Sequence, residues 1–210
     1  YRRPASFKSQ VKLMKEKKTS QTSLAKGNEA FRQGDYAKAI ANFAMVITQQ
    51  PGLAKSISAN LALARKKYRA SRQASVKPSV AVCGWELAHN AAGRVYTLAT
   101  IYQTFADVEI IGSLFPSFGR EIWEPIRDTA IAKHTFIVED ESKFIEQAIQ
   151  LVALHPYDIV HLSKPRLPNI IFGTLYKLFW DAKVLMDIDD EELAFVGAEA
   201  PISIDDYILQ

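Results

Sequence analysis

The stretch SVAVCGWELAHNAAG, residues 79–93, limits the fold more than any other part of the chain. It opens on Val80-Ala81-Val82-Cys83, breaks at Gly84, passes a polar loop holding His89 and Asn90, and reaches Gly93-Arg94 where an amphipathic run begins. That is the order strand, loop, helix. A short unbroken apolar run marks a parallel strand covered on both faces. The loop after such a strand lies at the carboxyl end of its sheet, where open α/β folds take ligands. The helix that follows offers free amides and a positive dipole end to an anion. Gly93, Arg94, His89 and Asn90 are therefore the first candidate contacts.

The same grammar continues downstream. Strands are expected at Val108–Gly112, Thr135–Val138, Tyr157–Leu162 and Lys183–Ile188. Helices are expected at Gly93–Phe105, Glu141–Leu154 and Pro168–Phe179, with Phe144, Ile145, Ala148, Ile149 and Val152 turned inward. Ser113–Arg127 reads as loop. Repeated βα units predict a Rossmann-like parallel sheet with helices on both faces. Cys83 falls inside the first strand and reads as a buried structural thiol. As the single cysteine, it excludes an internal disulfide and fits a reducing compartment. No apolar run reaches the ~18–20 residues a membrane helix needs, and no signal-peptide pattern is present.

Upstream of residue 79 the chain changes character. Residues 1–78 carry 17 Lys/Arg against 3 Asp/Glu, and residues 79–210 carry 9 against 20. A shift this abrupt marks a module boundary. Residues 1–22 form a basic lead-in, 23–74 a helical module, 75–78 a linker, and 79–210 the α/β domain. In the helical module Ser23–Gln33 and Tyr36–Gln49 read as helices joined by Gly34-Asp35 and stopped at Pro51-Gly52, with a third helix over Ala54–Arg72. The segment GNEAFRQGDY (Gly27 to Tyr36), with Ala39, Phe43 and Pro51 at fitting distances, resembles a tetratricopeptide (TPR) repeat; Val46 stands where that pattern has a small residue. Small residues at Gly27 and Ala39 let two helices close up while Tyr36 and Phe43 fill the gap. A single repeat cannot bury its own apolar face, so it must lean on a neighbouring repeat, another chain or the domain that follows.

Three pieces of the α/β part resemble the N-terminal domain of a GT-B glycosyltransferase, close to family 4. They are Val80 to Arg94, GSLFPSFGREIWEPIR (Gly112 to Arg127), and Tyr157 to Phe195. The resemblance implies the acceptor half of a retaining sugar transferase. The nucleotide-sugar donor would bind mainly to a second domain, so this chain reads as a fragment without transferase activity of its own. By position, Gly93 matches the glycine that lets backbone approach a donor phosphate. His161-Leu162-Ser163 stands where many members end the strand in a His-x-His-like pair. Ser163 replaces the second His, while Ser163, Lys164 and Arg166 remain at the strand end as acceptor contacts.

Asp187 and Asp189 open an acidic run, Asp187 to Glu192, that reads as a helix cap or as contacts to acceptor hydroxyls. No covalently bound cofactor and no metal are expected. The partners expected are a sugar acceptor such as a polysaccharide or lipid-linked glycan, and a protein or anionic membrane surface reached through residues 1–78. Nucleic acid is disfavoured, because the module's aromatic residues are mostly committed to packing. The expected location is the cytoplasm, with attachment to the inner membrane face through the basic module. A second reading is a non-catalytic TPR adaptor for protein-protein interaction carrying a relic α/β domain.

Overall fold

The computed structural model describes residues 22–72 and 77–188. The basic lead-in up to residue 21, Ser75 and Val76 of the expected linker, Asp189 with the acidic run after it, and the rest of the expected domain to residue 210 lie outside the described residues.

The first described element is α1 (22–32). Gly34, at φ 79°, makes the turn in a region that favours glycine. Asp35 then caps α2 (Tyr36–Gln49), its carboxylate accepting from Lys38 N at 3.1 Å. A short turn, Pro51–Leu53, leads into α3 (Ala54–Arg72), which packs along α2. The expected close approach is real: a Cβ on Gly27 would sit 2.7 Å from the Phe43 ring.

The second part is a five-stranded, wholly parallel sheet in the order β3-β2-β1-β4-β5. Its strands are β1 (Ser79–Gly84), β2 (Asp107–Leu114), β3 (Lys133–Ile137), β4 (Ile159–Leu162) and β5 (Lys183–Met186). The helices are α4 (Ala91–Tyr102), the single turn α5 (Glu124–Arg127), α6 (Phe144–Leu154) and α7 (Leu167–Trp180). This is the Rossmann-like α/β arrangement predicted from the strand–helix alternation.

Several boundaries move. α4 starts at Ala91, so Gly93 is its third residue rather than the link before it. β2 runs on through Ser113 and Leu114, which the sequence assigned to loop. Tyr157 precedes β4 instead of opening it. Ile145 is outside rather than inside, 56% exposed, because the buried arc of α6 runs through Phe144, Ala148, Leu151 and Val152.

The helical module leans on the domain that follows it. One apolar cluster joins Ile40 and Phe43 of α2 and Leu61 of α3 to Phe172, Tyr176 and Trp180 of α7. Tyr68 and Trp180 rings meet at 5.4 Å. Arg65 of α3 donates to the carbonyls of Leu178 and Phe179, the latter at 3.2 Å, and so satisfies acceptors that the end of α7 leaves without intrahelical partners. Arg69 holds the Asp181 carboxylate at 2.8 Å. Asp181 ends α7 in the left-handed conformation, at φ 52°. Cys83 is fully buried in this core, and burial pushes its thiol well up, consistent with the packing role. Among the described residues, no helix is long and apolar enough to cross a membrane.

Candidate functional site

The loop after β1 is fixed by backbone and one buried acid. Gly84 and Gly112 are register partners at the ends of β1 and β2. A Cβ on Gly112 would fall 2.4 Å from Gly84 O and 2.8 Å from the Leu87 side chain, so Leu87 folds back over the sheet end only because both positions lack side chains. Leu87 N donates to Ser113 O at 3.0 Å, and the Ser113 hydroxyl donates to Trp85 O at 2.7 Å. Glu86 is buried and accepts from Ala88 N at 2.5 Å and from Phe115 N at 2.6 Å, clamping the loops after β1 and β2 together. Burial raises its carboxyl above the ordinary range, against the opposing pull of the same amides.

On this base sits an aromatic group. The Trp85 ring meets Phe118 at 5.6 Å and His89 at 5.6 Å, and His89 meets Phe118 at 4.6 Å. The Arg166 guanidinium lies over Trp85 at 5.6 Å. His89 is therefore packed between rings instead of solvated. Its Nε2 is buried and has no hydrogen-bond partner among the described residues.

The expected anion cradle at the start of α4 does not form. Ala91 N donates to His89 Nδ1 at 3.2 Å, Ala92 N to His89 O at 2.9 Å, and Gly93 N to Asn90 O at 2.9 Å. The first amides of the helix are thus already used. Gly93 faces the Trp123 ring, which a Cβ would meet at 3.2 Å, so its smallness serves packing. Asn90 is exposed beside His89, its Oδ1 2.9 Å from His89 Nδ1.

Arg94 and Asp187 do come together, from α4 and from just past β5. Arg94 donates from Nε at 2.7 Å and from Nη2 at 2.5 Å to Asp187 Oδ2. Asp187 N donates to Leu162 O at 2.9 Å, which fixes the carboxylate at the carboxyl edge of the sheet. His161, inside β4, pairs with the Tyr102 hydroxyl at 3.0 Å. Burial lowers the pKa of His161, with Asp187 opposing and Arg94 reinforcing. It is a half-buried, hydrogen-bonded histidine within the strand.

Of the residues after β4, Ser163 is only 2% exposed and its amide donates to Cys83 O at 3.0 Å. Its side chain is therefore buried beneath the strand end rather than displayed on it. Lys164 holds Asn169 through its carbonyl at 3.0 Å, and Arg166 immediately precedes α7. Asp189 lies outside the described residues. Arg94, Asp187, Lys164 and Arg166 stand at the carboxyl edge of the sheet, with Asn90 exposed on the loop after β1 and Trp85 and Phe118 beside it. Sequence reasoning passed over Glu86, although an acid two residues past an apolar strand was a readable signal. Trp85 beside it was equally visible.

Comparison with protein-family models, with curated proteins and with solved structures gave no match.

Proposed function

We propose that the α/β part is the acceptor-holding domain of a sugar transferase that uses a nucleotide-sugar donor. The observation that carries this reading is the Arg94–Asp187 pair, held at the carboxyl edge of a parallel sheet whose next loop carries the Trp85 ring. A charged pair of this kind can exchange hydrogen bonds with hydroxyls, and an aromatic face suits the apolar face of a sugar ring. Lys164 and Arg166 add positive charge for a phosphate-bearing acceptor or donor. The donor nucleotide is assigned to a further domain of the kind the resemblance implies.

The helical module, TPR-like in its Gly27–Phe43 packing, serves in this proposal to recruit a protein or an anionic membrane surface. The adaptor reading has less support, because α6 and α7 fill the face that a stack of repeats would use.

The test is sugar transfer by the full-length protein. Charge-assisted hydrogen bonds contribute about 1.5–3 kcal/mol, so Arg94→Ala and Asp187→Ala should each slow transfer about 10- to 100-fold with unchanged circular dichroism. Full activity in both variants removes the site. Recruitment is tested by binding of the same protein to anionic vesicles. Binding should weaken as salt is raised, and no binding at low ionic strength removes the membrane arm.

A further inference from the structure

At the opposite end of the sheet from the Arg94–Asp187 edge lies a second group of side chains. Glu109 is the third residue of β2 and His134 the second of β3. Ile111 is the register partner of His134, so Glu109 and His134 share one face of the sheet, the face covered by α6 and α7. His155 follows the last residue of α6. One ligand atom from each of Glu109, His134 and His155 lies within 4.8 Å of the other two, and all three residues are half-buried.

Four facts set this group apart from a chance surface cluster. Glu109 Oε2 is held from two sides, 3.0 Å from His134 Nε2 and accepting from the Tyr157 hydroxyl at 2.5 Å. The His134 and His155 rings are stacked at 3.8 Å. A cavity lined by both histidines also takes in Gln147, whose Oε1 is buried and accepts no hydrogen bond among the described residues. A second cavity, lined by Glu109, His155 and Tyr157, opens the group to solvent from the other side.

We propose that Glu109, His134 and His155 form a binding site for a divalent first-row transition ion, with zinc the best fit. Two imidazole nitrogens and one carboxylate oxygen suit zinc and its neighbours better than calcium or magnesium, which prefer all-oxygen sets. Zinc bonds of ~2.0–2.1 Å in a tetrahedron place ligand atoms about 3.3 Å apart. Closing the group therefore needs ligand separations to shorten by no more than about 1.5 Å, with the stacked imidazoles turned until their lone pairs converge. The Tyr157 hydroxyl orients Glu109 as an outer partner. Water or a small anion completes the coordination from the solvent side. The ion would pin β2, β3 and the end of α6 to one another.

The test uses the whole chain, stripped with a chelator and titrated with zinc chloride in a calorimeter. Binding of one zinc per chain and a raised Tm are expected, since an ion that binds only the folded form stabilises it. Tyr157→Phe, which keeps the ring packed, should weaken binding about 10- to 100-fold. The double variant His134→Ala/His155→Ala should lose binding while keeping its circular dichroism. Should that variant fail to fold, cobalt in the unaltered protein decides. Of the four histidines, the ring proton resonances of His134 and His155 should shift strongly and those of His89 and His161 should not. No heat and no Tm change at millimolar zinc overturns the proposal. So does undiminished binding by the double variant, or a cobalt response at other histidines.

Discussion

Glu86 shows how much one side chain can hold. It sits in a loop between an apolar strand and a helix, yet it is fully buried and joins two loops through their amides. Removing it strands Ala88 N and Phe115 N away from water. A buried donor left without a partner costs about 1–3 kcal/mol, so Glu86→Ala should lower stability by at least that amount in a denaturant titration. The pH dependence has a definite sign. Burial raises the folded-state pKa above the ordinary value of 4.5, so the folded form holds its proton more tightly than the unfolded chain. This group's contribution to stability is fully present below 4.5 and declines as pH rises through the raised value. That decline should be absent from Glu86→Ala; an identical profile in the two proteins would refute the assignment.

Among the elements, the hairpin of α1 and α2 carries the sharpest steric test. Gly27→Ala recovers about 1 kcal/mol of helix propensity, but the new methyl would press into the Phe43 ring, at 2.7 Å. Overpacking of this kind costs about 1–3 kcal/mol, and Phe43 is itself buried with little room to move. A net fall in Tm is expected, whereas Gly52→Ala, with no neighbour within 4 Å, should cause none. This close approach was legible in the sequence, because Gly27 and Phe43 stood at the spacing of a helix pair. The first strand was legible too, since β1 is a short apolar run buried along nearly its whole length. The amides of α4 were not. Whether a helix start is free depends on how the preceding loop folds, and His89 turns back to take Ala91 N for reasons of local geometry that no periodicity encodes. The burial of Ser163 was hidden in the same way: strand register put it at the expected edge, but its depth below the surface depends on what packs over that edge. The Glu109, His134 and His155 group was invisible because its members lie on three elements and meet only when the sheet and α6 are assembled.

Across the whole molecule, the two parts share one core instead of meeting at a thin seam. Arg65 is the polar fastening of that joint, its guanidinium set on the closing carbonyls of α7. Arg65→Met keeps much of the aliphatic bulk but removes the donors. Losing hydrogen bonds from a charged group costs about 1.5–3 kcal/mol, and both parts should weaken together in a single unfolding transition. Two separate transitions, with only one displaced, would show instead that the helices and the sheet fold independently.

The shared core also bears on synthesis. Ile40 and Phe43 leave the ribosome long before Phe172 and Tyr176, the aromatic residues that complete their cluster. Until α7 has emerged, the newborn helical pair carries an uncovered greasy flank of the kind that holding chaperones seek and that drives nascent chains to clump.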